Sequence, residues 1–152
     1  MNRLFVLLGG ASVVGLLMLG LLAMQPASVS ARGSGMSGRS QVGCGSCHGS
    51  AADSSVAVEI SGPTTVAPGS TNSYTVTVAE TTGTQGTGGG LDVSVSGGAL
   101  AAGANSQQLN GEITHQDGSS RSWTFAWTAP STPGTVAMYA AGLSLRASGE
   151  GW

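Results

Sequence analysis

The chain predicts an all-β fold, an antiparallel β-sandwich preceded by an irregular segment. Three observations carry that expectation. Short runs alternate apolar with polar residues, as in Val56-Ala57-Val58-Glu59-Ile60 and Trp123-Thr124-Phe125-Ala126-Trp127, which is the period-two pattern of a half-buried strand. Gly/Pro pairs punctuate those runs at Gly62-Pro63, Pro68-Gly69 and Pro133-Gly134. Beyond residue 31 no stretch repeats apolar residues at helical spacing.

Taken in order, Val56, Val58 and Ile60 predict a first strand. After the Pro68-Gly69 turn, Tyr74, Val76 and Val78 alternate with Thr75 and Thr77 to predict a second. Thr81 to Gly90 reads as a mobile Gly/Thr loop, and Leu91, Val93 and Val95 alternate again. Between Gly97 and Asn110 the pattern is weak, with Ala99 to Ala104 either a strand or a short turn. Trp123, Phe125 and Trp127 share one face of a strand that ends at Ala129-Pro130. Three such rings can seed a core, at about 25 cal/mol per Å² of apolar surface removed from water. Val136, Met138 and Ala140 alternate beyond Pro133-Gly134, which makes Met138 a core residue.

The first 31 residues read as a secretory signal: Met1-Asn2-Arg3 is a positive start, residues 4–24 are apolar, and Val29-Ser30-Ala31 offers small residues ahead of a cut before Arg32. The apolar stretch is also nearly long enough to span a bilayer, so an uncleaved membrane tether through residues 4–24 is the alternative. Both place the rest of the chain outside the cytoplasm, in the periplasm or at the cell surface. Residues 32–54 then form a Gly/Ser-rich segment, and residues 55–152 the sandwich. Five arginines, no lysine and seven acids give a net charge of −2. No basic cluster occurs, which argues against a nucleic-acid partner.

The chemistry-bearing motif is Cys44-Gly45-Ser46-Cys47-His48, and Cys44 and Cys47 are the only cysteines in the chain. Two thiols at this spacing followed at once by an imidazole form the attachment sequence for a c-type haem. Each thiol adds across a porphyrin vinyl group, and His48 is carried to the iron as the proximal ligand. A thioredoxin-like dithiol uses the same pair but opens a helix within a βαβ unit, and no helical pattern flanks this one. A zinc site needs further paired ligands, and only His115 remains. Gly86-Thr87-Gly88-Gly89-Gly90 is not a phosphate loop, since it lacks both a lysine and a following helix. No nucleophile elbow or carboxylate pair can be read elsewhere.

The motif, with Pro68-Gly69, Tyr74-Thr75-Val76-Thr77-Val78, Ile113-Thr114-His115, the segment from Trp123 to Pro130, and Tyr139-Ala140-Ala141-Gly142, resembles the choice-of-anchor V domain family. The resemblance implies an Ig/reeler-like β-sandwich with a C-x-x-C-H motif just before its first strand. Gly83 to Asn110 matches poorly. Leu143-Ser144-Leu145-Arg146 stands where the family carries an asparagine-rich loop, and the chain stops at Gly151-Trp152, where the family continues into a surface anchor.

The family pattern also has a histidine at position 115. That makes His115 the candidate distal iron ligand, ahead of Met36 and Met138. The expectation is therefore one covalently attached haem c on Cys44 and Cys47, with His48 proximal and His115 distal, in an exported electron carrier rather than an enzyme. Its partners would be redox proteins or further copies of itself through an exposed haem edge. The alternatives are a peroxidase-like or gas-binding haem with an open axial position, and a surface β-module without redox function.

Overall fold

The computed structural model describes residues 33–45, 47–146 and 149–152. The signal or tether expected over residues 1–31 lies outside them. No helix among the described residues is long and apolar enough to cross a membrane.

The expected all-β sandwich is observed. Among the described residues nine strands run β1 (Val56–Ser61), β2 (Thr71–Glu80), β3 (Gly88–Val95), β4 (Ala99–Ala102), β5 (Ser106–Leu109), β6 (Glu112–His115), β7 (Ser122–Thr128), β8 (Met138–Arg146) and β9 (Gly149–Gly151). They form a four-stranded sheet ordered β1-β2-β7-β4 and a five-stranded sheet ordered β5-β6-β3-β8-β9. Every described pairing is antiparallel.

The core follows from the alternation. Tyr74, Val76 and Val78 of β2 and Trp123, Phe125 and Trp127 of β7 face inward, in a register that sets Tyr74 beside Phe125 and Val76 beside Trp123. The Tyr74 and Phe125 rings stack at 5.8 Å and Trp127 meets Tyr74 edge-on at 6.0 Å, both favoured aromatic geometries. Leu91, Val93 and Ile113 supply the opposing layer, and Met138 packs against the cluster from its margin. A Cβ at Gly142 would lie 2.8 Å from a Val58 methyl, so the sheets approach there as only glycine allows.

Two elements differ from the sequence expectation. Gly88, Gly89 and Gly90 belong to β3 and are buried rather than forming a mobile loop. A side chain at Gly89 would press on the Trp123 ring and the Leu143 carbonyl, so the strand passes there only because it carries none. The weak region from Gly97 to Asn110 resolves into β4 and β5, and β5 turns into β6 through Asn110-Gly111. Both residues are left-handed, with φ of 52° and 83°, the backbone of a two-residue hairpin turn whose twist matches its strands.

One inward position is charged. Glu80 continues the buried face of β2 past Val78, and its side chain is 1 % exposed. Arg121 Nη2 donates to Oε2 at 2.9 Å, Arg146 Nε donates to Oε1 at 3.1 Å, and Ser144 Oγ donates to Oε1. Burial pushes this carboxyl up, but the bonds from Ser144 and the Gly86 amide, the Arg121 charge and the Arg146 bond outweigh burial and hold it at about 2. With the folded value below the ordinary 4.5, the ionised group's contribution is complete above 4.5 and is lost as pH falls towards 2. Glu80→Ala leaves two arginines without their buried partner and costs about 3–5 kcal/mol, read by urea unfolding at neutral pH. Unfolding at pH 2 should show a much smaller difference between variant and wild type.

Candidate functional site

The outer face of the five-stranded sheet is covered by the Gly/Ser-rich segment that carries the motif. Leu91 and Val93 of β3 point into the core, so Asp92 and Ser94 point outward, yet they are only 2 % and 9 % exposed. Gly38 N donates to Glu112 of β6, Arg39 N and Ser40 N donate to Asp92 Oδ2 at 2.5 and 2.9 Å, and Ser40 Oγ donates to Ser94 Oγ at 2.7 Å. Upstream, Gly35 (φ 77°) sits so close to Thr114 that a Cβ there would overlap it. The segment thus crosses from β6, over β3, towards β9. Carboxylates on the sheet accept main-chain amides that would otherwise be unsatisfied.

The motif closes into a single turn at the β9 end of this path. Cys47 N and His48 N both donate to the Cys44 carbonyl, at 3.2 and 3.1 Å, so the two cysteines and the histidine share one helical turn. Beneath the turn lies Trp152. A Cβ at Gly43 (φ 78°) or Gly45 would run into its indole, so glycine at both positions is what lets the ring pack there. Trp152 O accepts from Asp53 N at 2.5 Å, closing the segment onto the strand end. Trp152 Nε1 is buried and finds no hydrogen-bond partner among the described residues. His48 Nδ1 pairs with Glu150 Oε2 of β9, with side chains 14 % and 29 % exposed.

The two cysteines sit in different surroundings. Cys47 is exposed and Cys44 half-buried. Burial pushes the Cys44 thiol up to about 11, with the Asp92 charge adding to that and Arg39 opposing it. Asp92 is itself pushed up to about 6, first by burial and then by the like charge of Glu112, against the amide bonds from Arg39 and Ser40.

His115 ends β6 of the same sheet. Its Nδ1 accepts from Leu91 N at 3.0 Å, beside Leu91 O at 3.2 Å, where β6 ends against β3. The ring abuts Gly90. Cys44, Cys47 and His48 are thus brought together on one turn, while His115 belongs to another strand and has its Nδ1 engaged by the Leu91 main chain. Met36 lies in the segment with its sulfur 3.3 Å from Arg39 Nε, and Met138 packs at the core margin.

Glu150 and Trp152, the residues against which the motif rests, were not singled out by the sequence reading. Their one sequence signal is a large aromatic and a carboxylate in an otherwise Gly/Ser-rich tail. A cavity of about 500 Å³ opens elsewhere, lined by Ile60, Tyr74, Trp127, Val136 and Met138 among others. Ile60 and Met138 belong to the ends of β1 and β8 remote from Val56 and Arg146, so the motif does not reach it. Comparison with family models, curated proteins and solved structures returned no match.

Two outcomes follow from the cysteine and Asp92 environments. In the haem-less chain a thiol-alkylating reagent near pH 8 should label Cys47 first; Cys44, whose thiol burial pushes up to about 11 from 9.0, should react roughly tenfold slower once the greater nucleophilicity of its thiolate is counted. Peptide mapping of a time course checks this, and equal labelling contradicts the docked arrangement. Asp92 has a folded value above its ordinary 3.8, so the folded chain retains a proton that the unfolded chain has lost. Its contribution to stability therefore falls as pH rises from 3.8 through about 6. Asp92→Asn should flatten that dependence in thermal unfolding curves collected across the window.

Proposed function

We propose that this chain is an exported monohaem c-type cytochrome that transfers electrons. The observation that carries the reading is the single turn on which Cys44, Cys47 and His48 converge. The donor set fits the group: two thiols three residues apart for two thioether links, and an adjacent imidazole for the iron. Cys44 and Cys47 would hold the haem by two thioether links, each thiol adding its sulfur and hydrogen across one vinyl C=C. When bound, the haem supplies a one-electron couple at its iron.

The chain's own residues do the rest. Cys44 and Cys47 tether, His48 ligates, Gly43 and Gly45 give the turn its seat on Trp152, and Asp92 and Glu112 hold the segment to the sheet. The half-buried, weakly acidic Cys44 thiol supports attachment before the segment docks, when both sulfurs are accessible. A position on the outer face of a sheet supports exchange with a partner protein, or with a second copy, through an exposed haem edge. Export to the periplasm or cell surface, and kinship with the choice-of-anchor V domains, belong to the same proposal.

A second reading is favoured by one observation. His115 Nδ1 is engaged by the Leu91 main chain, so a second iron ligand from His115 would have to be its Nε2, and a haem lacking that ligand would keep an open position. An iron without that ligand suits small-molecule binding rather than electron relay.

The deciding experiment is co-expression of the full chain with a haem-attachment system, followed by a haem stain on the denatured protein and absorption spectra of both redox states. The expected result is a stained band and a low-spin spectrum that turns high-spin in His115→Ala. A high-spin wild-type spectrum, unchanged in His115→Ala, selects the open-position reading. An unstained wild type ends the cytochrome reading altogether.

A further inference from the structure

We infer that Glu150 is the positioning residue of this site, fixing the tautomer of His48 and biasing the bound iron towards its ferric state. The inference rests on the haem reading above and extends it to a residue that the motif does not contain. Glu150 Oε2 meets His48 at Nδ1. A neutral imidazole that donates from Nδ1 presents the lone pair of Nε2, so the nitrogen facing the carboxylate decides which one is left for a metal.

The carboxylate is held in place before any haem arrives. β9 pairs with β8 in a register that sets Glu150 opposite Leu145 and Gly151 opposite Ser144. Ser144 faces inward to Glu80, so Leu145 and Glu150, one residue out of step, face the outer side where the motif docks. The next residue but one, Trp152, is clamped by the Gly43–Gly45 seat and by the Asp53 amide. The nearby cation on β8, Arg146, is already committed to Asp53 at 2.7 Å and Glu80 at 3.1 Å, and Asp53 also accepts from Ser55. Glu150 is thus the carboxylate partner of the imidazole, an exposed residue whose side chain is 29 % exposed against 14 % for His48.

The electronic consequence follows from the acceptor's charge. A carboxylate accepting the Nδ1 proton makes the imidazole a stronger donor at Nε2, and a stronger donor favours the more highly charged iron. A neutral acceptor in the same place would orient the ring as well but would bias the iron less. That difference separates an electronic role from a merely structural one.

The test uses the full chain in two states. In the haem-loaded protein, Glu150→Gln keeps an acceptor for Nδ1 but removes its charge. At a fixed solution potential the reduced-to-oxidised ratio should then rise about tenfold, equivalent to about 59 mV for one electron. Glu59→Gln, at an exposed position on β1, serves as the control and should match wild type. In the haem-less chain, ¹⁵N NMR of His48 at alkaline pH should report the Nδ1–H tautomer in wild type and in Glu150→Gln, and a shift to Nε2–H in Glu150→Ala. Equal redox ratios in wild type and Glu150→Gln would falsify the electronic role, and an unchanged tautomer in Glu150→Ala overturns the positioning role. A wild type that takes up no haem refutes the cytochrome reading instead, and the haem-less measurement still decides whether Glu150 orients the ring.

Discussion

A carboxylate buried between two sheets imposes the constraint from which the rest of this structure follows. Glu80 enters the interior because β2 keeps its alternation one step beyond Val78, and a charge taken out of water must find partners or lose its charge. Arg121, at the entrance to β7, and Arg146, at the end of β8, both close on it. Since β7 and β8 belong to different sheets, that one ionised group clamps the layers at the end of the sandwich where apolar packing gives out. Arg146 passes the connection on to Asp53, and Asp53 meets Trp152 through its amide. The geometry beneath the Cys44–His48 motif is therefore continuous with the polar interior.

Strand β3 is covered on both faces, which explains why it has no exposed side. Its inner residues meet the aromatic layer and its outer ones meet the crossing segment. An outer face bearing Asp92, Ser94 and Thr114 is polar enough to receive a backbone and too deeply covered to remain hydrated. The motif is thereby tied to the fold rather than trailing from it, and the last strand is where it rests.

Much of this was legible in the sequence. Val56 to Ile60, Tyr74 to Val78, Leu91 to Val95 and Trp123 to Trp127 alternate cleanly because each has one face in a core and another facing polar surroundings, and each is a strand. The β5–β6 hairpin carries a readable sign, Asn110-Gly111 between Leu109 and Ile113, but its flanking runs are only four residues long and mostly polar. The glycines of β3 mislead, since a strand with no side chains has no period. At the site, spacing alone grouped Cys44, Cys47 and His48, because they are neighbours in the chain. Glu150 lies 102 residues from His48, and no local pattern encodes a contact made by strand pairing. The same blindness works in reverse for His115, whose place at a strand end is legible but whose engagement by the Leu91 main chain is not.

The docking of the segment from Gly35 to Ser40 assigns the two sides of that contact different freedoms. Its anchoring groups at positions 38, 39 and 40 are amide protons, which every residue except proline possesses, whereas the receiving groups are the particular carboxylates Asp92 and Glu112. Drift over generations can therefore change positions such as 37 and 39 more freely than Gly35, whose Cβ would overlap Thr114, while β3 and β6 stay fixed. A low-complexity run that looks like a featureless linker is then compatible with a defined path. The information specifying that path is stored in the surface it crosses.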